Sequence, residues 1–110
     1  MSNSYTRLHH IVWAIDTIHE FGTLDLTDKK TFAAVVYFLQ IIGEASKKIK
    51  PEIKNLAPEI PWKNIMAFRD YAAHEYFALD VEAVGEAVKS LPLLKTTTQR
   101  LIKITLTGVP

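Results

Sequence analysis

The sequence predicts an all-α fold of four or five helices. Apolar residues recur at three- and four-residue spacing along most of the chain. Residues that favour helix starts precede apolar segments: Thr27 or Asp28 before the second helix, and Asp80 further on. No segment alternates apolar and polar residues for long enough to predict a strand. A chain of 110 residues, 48% of them apolar, suits one domain with a substantial core. We therefore expect residues 1–110 to form a single helical domain.

The composition excludes several classes of protein. Because the chain contains no cysteine, it can form neither a disulfide nor a thiolate metal site. No apolar run approaches the roughly 18 residues of a membrane span, and the N-terminal residues lack the basic and then apolar order of a signal peptide. A net charge of +1 does not by itself indicate nucleic-acid binding. We expect a cytoplasmic protein without a membrane partner.

The first two helices are separated by a short connection. The first helix carries its apolar residues between Leu8 and Phe21 and is expected to end near Gly22. The second extends from about Lys29 to Ile49, and its middle is apolar on most sides, as in a helix packed between neighbours. Gly43 in its interior costs about 1 kcal/mol relative to alanine. A close crossing with another helix explains why glycine stands there.

Three further helices are predicted after a short helical turn at residues 52–56. The first of them begins at Pro61, because proline is favoured at the first helical position, and continues to about Phe77. The next helix follows Asp80, a candidate N-cap. The last begins around Leu91-Pro92, and we expect residues 105–110 to fray.

The helix after Pro61 carries the residues that indicate a chemistry. Arg69 offers a permanently charged fork of donors to phosphate oxygens, and His74 can transfer a proton near neutral pH. This pair suits phosphodiester cleavage, with His74 handling the proton of a ribose 2′-hydroxyl or of the leaving oxygen. Asp70, one turn before His74, is expected to fix the histidine tautomer. Tyr76, seven residues after Arg69, is expected to share its helix face.

A single copy of this helix does not bring Arg69 and His74 together. Five residues apart, they diverge by about 140° around the axis. The small residues Ala72 and Ala73 would let a second backbone approach, and a twofold axis would then bring two Arg/His pairs into one cleft. The simpler alternative is an ordinary helical arginine and a structural histidine, which composition and spacing alone favour.

Other polar residues give weaker signals. His9, His10 and His19 suggest a metal site, but His10 and His19 face opposite sides of their helix and no carboxylate completes a ligand set. The lysines within Lys47–Lys54 are more typical of a solvated helix end than of a nucleic-acid contact. Trp62 is more typical of a core anchor than of a base-stacking platform. With no glycine-rich phosphate loop either, we predict neither a metal nor a cofactor.

The segment Arg69–Tyr76 resembles the signature of HEPN-domain ribonucleases: arginine, a polar residue, a short spacer, histidine, any residue, tyrosine. Four further segments stand in the order typical of the HepT-like toxins of that group: Ile41–Lys47, Pro58–Trp62, Tyr76–Asp80 and Leu91–Leu94. The resemblance covers the chain from about Leu8 to Leu101.

This resemblance implies a HEPN-like up-down helical bundle that forms a homodimer with its active cleft at the twofold interface. It also implies metal-independent cleavage of an RNA substrate by the toxin of a type VII-like toxin–antitoxin pair. Arg69 and His74 fill the catalytic positions and Asp70 the supporting one. Tyr76 fills the position to which a minimal nucleotidyltransferase antitoxin attaches AMP, which silences the toxin.

Two positions depart from the family pattern. Asp70 stands where asparagine is usual, and Gly85 stands where a tryptophan is usual. Both departures favour an alternative, a catalytically weak module that binds a nucleotide or a nucleotidyltransferase partner. A third alternative is a purely structural helical dimer, for which substitution of Arg69, His74 and Tyr76 would have no effect on growth inhibition.

Overall fold

A computed structural model describes residues 3–108, which form six α-helices and no strand. The helices are α1 (Asn3–Glu20), α2 (Lys29–Lys47), α3 (Pro51–Lys54), α4 (Trp62–His74), α5 (Val81–Lys89) and α6 (Leu91–Thr107). A 3-10 helical turn at Tyr76–Ala78 separates α4 from α5. The all-α prediction is confirmed, and α3 is the short turn expected after the second helix.

The core lies between four long helices. Helix α1 packs against both α2 and α6, and α2 packs in turn against α4, while α5 contacts α2 and α6. The side chains that fill this core are largely β-branched or leucine, and the largest fully buried ones include Leu8, Ile11, Ile15, Ile18, Val35, Val36, Val84, Leu91 and Leu101. Within residues 3–108, no helix is long and apolar enough to cross a membrane. This packing agrees with the helical bundle that the resemblance implies.

Local capping residues set several helix ends as the sequence indicates. The carboxylate of Asp28 accepts the N–H of Thr31 at 2.9 Å, and that of Asp80 accepts the N–H of Ala83 at 2.7 Å. At the other end of the chain, α6 continues to Thr107 because Gly108 adopts a left-handed conformation (φ 70°) that closes the last turn. The prediction that the chain frays from residue 105 was therefore wrong for residues 105–107, which are helical. Residues 109–110 lie outside the described part of the chain.

Small shifts in helix ends follow from backbone hydrogen bonds. Helix α2 ends at Lys47 rather than Ile49, because the N–H groups of residues 48 and 49 bond carbonyls three positions back and tighten the last turn. Helix α4 begins at Trp62, so that Pro61 is the residue before it. Trp62 is 8% exposed, and its indole N–H donates to the carbonyls of Lys54 and Ala57 at 3.1 Å. The core-anchor interpretation of Trp62 is confirmed.

Helix α4 ends three residues earlier than the sequence predicts. Glu75 leaves the helical conformation (φ −130°, ψ 44°), and its N–H bonds the carbonyl of Tyr71 at 2.7 Å. The chain then turns, and the ring of Tyr76 packs edge-to-face on Phe32 of α2 with 5.9 Å between centroids. The expectation that Tyr76 shares a helix face with Arg69 is therefore wrong. The turn lets Tyr76 pack against the core instead.

Candidate functional site

The site is built on a close crossing of α2 and α4. A Cβ atom added at Gly43 would overlap the Cβ of Arg69 and would lie 3.0 Å from its Cγ and 3.1 Å from the carbonyl oxygen of Ile65. Any residue larger than glycine would therefore push the helices apart. The predicted reason for Gly43 is confirmed, and the residue that it accommodates is Arg69 itself.

The guanidinium of Arg69 is held by two carboxylates. Its Nε lies 3.0 Å from Oε2 of Glu44, and its Nη1 donates to Oδ1 of Asp70 at 3.2 Å. The Nη2 atom has no acceptor among residues 3–108 in this arrangement. Because the side chain is 31% exposed, this outer part of the fork can bind an anion from solvent.

Two lysines of α2 extend these contacts into a network. Lys47 Nζ contacts Oδ1 of Asp70, and Lys48 Nζ lies 3.6 Å from Oε1 of Glu44. The order Lys48, Glu44, Arg69, Asp70, Lys47 alternates in sign and has one more positive than negative charge. Each pair is partly exposed and stabilises the fold little by itself. Together they orient the guanidinium and leave the site positive overall, which favours an anionic ligand.

The carboxylate of Asp70 is held in its charged form. A hydrogen bond from Lys47 holds the pKa of Asp70 below its ordinary value of 3.8, and the guanidinium of Arg69 lowers it further. The partners of the Asp70 carboxylate are Lys47 and Arg69, and His74 contacts the main-chain carbonyl of Asp70, so the expected contact between this carboxylate and the imidazole is not formed. That prediction was wrong because Lys47, distant in sequence, is the partner that the fold provides.

His74 is instead oriented by the main chain. Its Nδ1 lies 2.8 Å from the carbonyl oxygen of Asp70. A carbonyl can only accept a hydrogen bond, so Nδ1 carries the proton of the neutral ring and Nε2 has a free lone pair. Since His74 is exposed at the last residue of α4, Nε2 can accept a proton from a bound molecule.

The remaining residues predicted for the site lie in different surroundings. Ala72 is 1% exposed and belongs to the core, so only Ala73 of the small pair faces solvent. The close approach beside Arg69 is made by Gly43 of the same chain, not by a second copy over Ala72. Tyr76 is half-buried in the turn beyond α4, where it contacts aromatic rings.

Sequence reasoning missed Glu44 and Lys47. Both lie within one helical turn of Gly43, and their charges oppose those of the adjacent residues Arg69 and Asp70. If Arg69 had been placed opposite Gly43 at the predicted helix crossing, the opposite charges of the neighbouring residues would have identified Glu44 and Lys47. Lys47 and Lys48 thus belong to the site, so the interpretation of the lysine cluster as a solvated helix end was incomplete.

The histidines of α1 show no metal-binding arrangement. Within residues 3–108, no three histidine, aspartate or glutamate side chains lie close enough together to hold a metal ion. Tyr5 packs edge-to-face on His9, with 4.7 Å between ring centroids. The described polar residues that converge are those around Arg69.

Comparison with known proteins identifies the family. The family model described as "Ribonuclease HepT-like" matches residues 7–101. A probable ribonuclease HepT of Thermococcus cleftensis is 44% identical over 102 residues, which cover 87% of this chain and 93% of that protein. Two putative RNases of Methanocaldococcus jannaschii are 40% identical over 63 residues and 38% over 79, covering 57% and 71% of this chain.

The chain spans 52% and 65% of the lengths of these two methanogen proteins. No solved structure matches the chain. The family match covers the signature Arg69–Tyr76, the crossing at Gly43 and all six helices in whole or in part. The chain therefore belongs to the HepT-like ribonuclease family.

Proposed function

We propose that this ribonuclease uses Arg69 and His74 to cleave RNA without a metal ion, as the toxin of a toxin–antitoxin pair. The observation that carries the proposal is that α4 holds an anchored guanidinium and, five residues later, a histidine whose tautomer is fixed by a main-chain hydrogen bond. Arg69 stabilises the negative charge that develops on the phosphoryl group, and His74 transfers a proton. Phosphodiester cleavage needs both.

In the proposed reaction, a phosphate of the RNA binds the outer N–H groups of Arg69. Nε2 of His74 accepts the proton of the adjacent 2′-hydroxyl, whose oxygen attacks phosphorus while the bond to the 5′-oxygen breaks. The leaving 5′-oxygen takes up a proton, so the products are a 2′,3′-cyclic phosphate and a 5′-hydroxyl end. Proton transfer of this kind typically contributes 10²–10⁴-fold to the rate.

The negative charge of Asp70 is compatible with this role. Its carboxylate is compensated by Lys47 on one side and Arg69 on the other, so it does not confront an incoming phosphate as an isolated charge. This arrangement favours the ribonuclease over the alternative of a catalytically weak binding module. It also gives Asp70 the supporting function of orienting Arg69, rather than that of orienting the ring of His74.

We further propose that the active form is a homodimer. A reaction that needs both a base and an acid is served by two copies of His74 across a twofold axis. Tyr37 lies on the face of α2 that carries Glu44, two turns away, and is 61% exposed. With Trp13, 56% exposed, it surrounds the ring of Phe38 and forms an apolar surface beside the site that a second copy would cover.

The dimer is tested by light scattering at micromolar concentration. We expect the mass of two chains for the parent and of one chain for Tyr37→Glu, which introduces an unpaired charge into the covered surface. The monomeric variant should also lose cleavage. A monomeric parent that cleaves RNA would contradict the composite site.

The proposed partner is a minimal nucleotidyltransferase antitoxin that attaches AMP to Tyr76. Tyr76 is two residues beyond His74, in a turn that remains partly open to solvent. An anionic nucleotide there would occupy space that RNA needs next to His74 and would repel its phosphates. Intact-mass analysis after co-expression should show AMP increments on the parent and none on Tyr76→Phe.

Cleavage of a single-stranded RNA in the presence of EDTA tests the proposed activity. We expect fragments that end in 2′,3′-cyclic phosphate, which distinguishes this chemistry from attack by a metal-bound water. Intact RNA together with tight binding of the nucleotidyltransferase would instead select the non-catalytic binding module.

A further inference from the structure

An open cavity of about 550 Å³ lies directly beyond the catalytic helix. It is formed where the start of α2 meets the turn after α4 and the start of α5, and its walls include Leu26, Lys29, Phe32, Tyr76, Phe77 and Val81. Its volume is within the range of pockets that bind small organic groups. None of the residues in the Arg69 network lines it, so it is a separate subsite adjacent to the reaction centre.

Phe77 is the most unusual residue of this pocket. This residue is 99% exposed, although phenylalanine is normally among the more buried residues. The exposure does not result from a loose segment, because the turn is closed by hydrogen bonds from Ala78 N to Glu75 O (2.9 Å) and from Leu79 N to Tyr76 O (3.1 Å). The ring of Tyr76 packs edge-to-face against it with 5.5 Å between centroids. The fold therefore presents an aromatic residue to solvent on a hydrogen-bonded turn.

The residues of the pocket are suited to binding a single-stranded nucleic acid. A flat exposed ring offers a stacking surface to a base, and Lys29 offers a cation to the phosphate next to it. The deeper wall is formed by the ring of Phe32, which packs on Tyr76, and by aliphatic side chains that suit the apolar faces of a base. Lys29 is exposed, so its ammonium group is available to a phosphate at the rim of the pocket.

The short distance along the chain between Phe77 and His74 places this pocket next to the proposed reaction centre. Phe77 follows His74 by three residues, so their Cα atoms are at most about 11 Å apart. A strand whose phosphate lies at Arg69 and His74 can therefore place a base one or two nucleotides away on Phe77.

We propose that this pocket binds an unpaired base of the RNA substrate, stacked on Phe77 next to the cleaved phosphate. The inference rests on the proposed ribonuclease function, and it makes the preferred substrate single-stranded. A base within a duplex is stacked between its neighbours and cannot reach the ring, so paired RNA is excluded from this subsite. Lys29 neutralises the phosphate that accompanies the bound base.

The test measures RNA binding in a His74→Ala background, in which the RNA stays intact. The probe is a single-stranded oligonucleotide that carries 2-aminopurine, whose fluorescence is quenched by stacking. Adding Phe77→Ala should raise the Kd about tenfold, equivalent to about 1.4 kcal/mol and within the range for one stacked base. It should also abolish the quenching. Phe77→Trp should retain both binding and quenching, because it keeps an aromatic face.

Leu93→Ala is the matched control, since Leu93 is an exposed apolar residue (58%) on α6 and lines no part of this pocket. Unchanged Kd and unchanged quenching in the Phe77→Ala protein would overturn the proposal that the pocket binds a base. That result would leave the proposed ribonuclease function intact, because it does not concern RNA cleavage by the parent. A Phe77→Ala variant that loses dimerisation or antitoxin binding but keeps RNA affinity would equally overturn it. Failure of the parent to cleave any RNA would overturn the proposed function, while the quenching assay would still report on the pocket.

Discussion

Arg69 lies directly against Gly43, so that the close contact between α2 and α4 is also the contact that positions the guanidinium. The stem of Arg69 occupies the space that a side chain at residue 43 would need. Glu44, the next residue of α2, then binds Nε of Arg69 at 3.0 Å. Stability, and in the proposed mechanism activity as well, therefore depend on the same crossing.

Gly43→Ala is expected to impair both properties. The added methyl group would meet Arg69 and the carbonyl of Ile65, both on α4, and could be accommodated only by moving the helix. Such overpacking typically costs about 1–3 kcal/mol. Urea denaturation should show a decrease of that size in the free energy of unfolding, and RNA cleavage should fall because Arg69 moves.

Gly85→Ala is the matched control for this variant. A Cβ atom at Gly85 would meet only Cδ1 of Leu26, at an ordinary contact distance of 3.8 Å. Alanine is the better helix former, so we expect the free energy of unfolding to rise by about 0.5–1 kcal/mol. Equal effects of the two substitutions would mean that helix propensity, and not the crossing, governs residue 43.

Glu44→Gln is expected to reduce cleavage without unfolding the protein. The amide keeps the size of the side chain but loses the charge that pairs with Arg69 and Lys48. A guanidinium displaced by about 1 Å can lower a rate up to 10²-fold. We expect a decrease of at least about tenfold in kcat/KM for RNA. As a control, Glu86→Gln removes an exposed carboxylate whose ion pair within residues 3–108 is with Lys89, and this variant should cleave like the parent. Activity of the Glu44 variant equal to that of the parent would contradict the anchoring function.

The charge of Asp70 should make stability depend on pH. Its pKa is lowered in the folded protein, chiefly by the hydrogen bond from Lys47, so folding favours the charged form. This contribution is present above the ordinary value of 3.8 and is lost as the pH falls below it toward the folded pKa. The Tm of the parent should therefore exceed that of Asp70→Asn at pH 7, and the difference should disappear in acid. A difference as large at pH 2 as at pH 7 would contradict the charge pairing.

High salt provides an independent check on the same pair. Asp70 and Lys47 are both partly exposed, so their attraction is screened by ions in solution. The difference in Tm between the parent and Asp70→Asn should shrink in about 1 M NaCl, where the Debye length is about 3 Å. A hydrogen bond between uncharged groups would be insensitive to this change.

Local signals in the sequence were sufficient for most of the fold. Asp28 and Asp80 accept the hydrogen bonds expected of N-caps, and Gly43 marks a real close crossing. Each of these features depends on the residue itself and its immediate neighbours. Arg69 and His74 were candidates on their chemistry, but composition and spacing alone favoured structural roles for them, and the resemblance to HEPN-domain ribonucleases is what selected them.

Features that depend on distant residues were not predicted correctly. The partner of Asp70 is Lys47, which precedes it by 23 residues, and no helical periodicity relates the two. The end of α4 at His74 has no glycine or proline to mark it, and it follows from the packing of Tyr76 on Phe32 of another helix. Tyr76 was therefore assigned to the face of Arg69, although the chain had already turned.

Cleavage of single-stranded RNA in EDTA by the parent, Arg69→Ala and His74→Ala proteins tests the central claim most directly. His19→Ala is the control, because His19 is exposed on α1 and takes no part in the site. Parent and control should cleave equally, and each of the other variants should lose at least about 10²-fold in rate. Cleavage by His74→Ala at the rate of the parent would contradict the account.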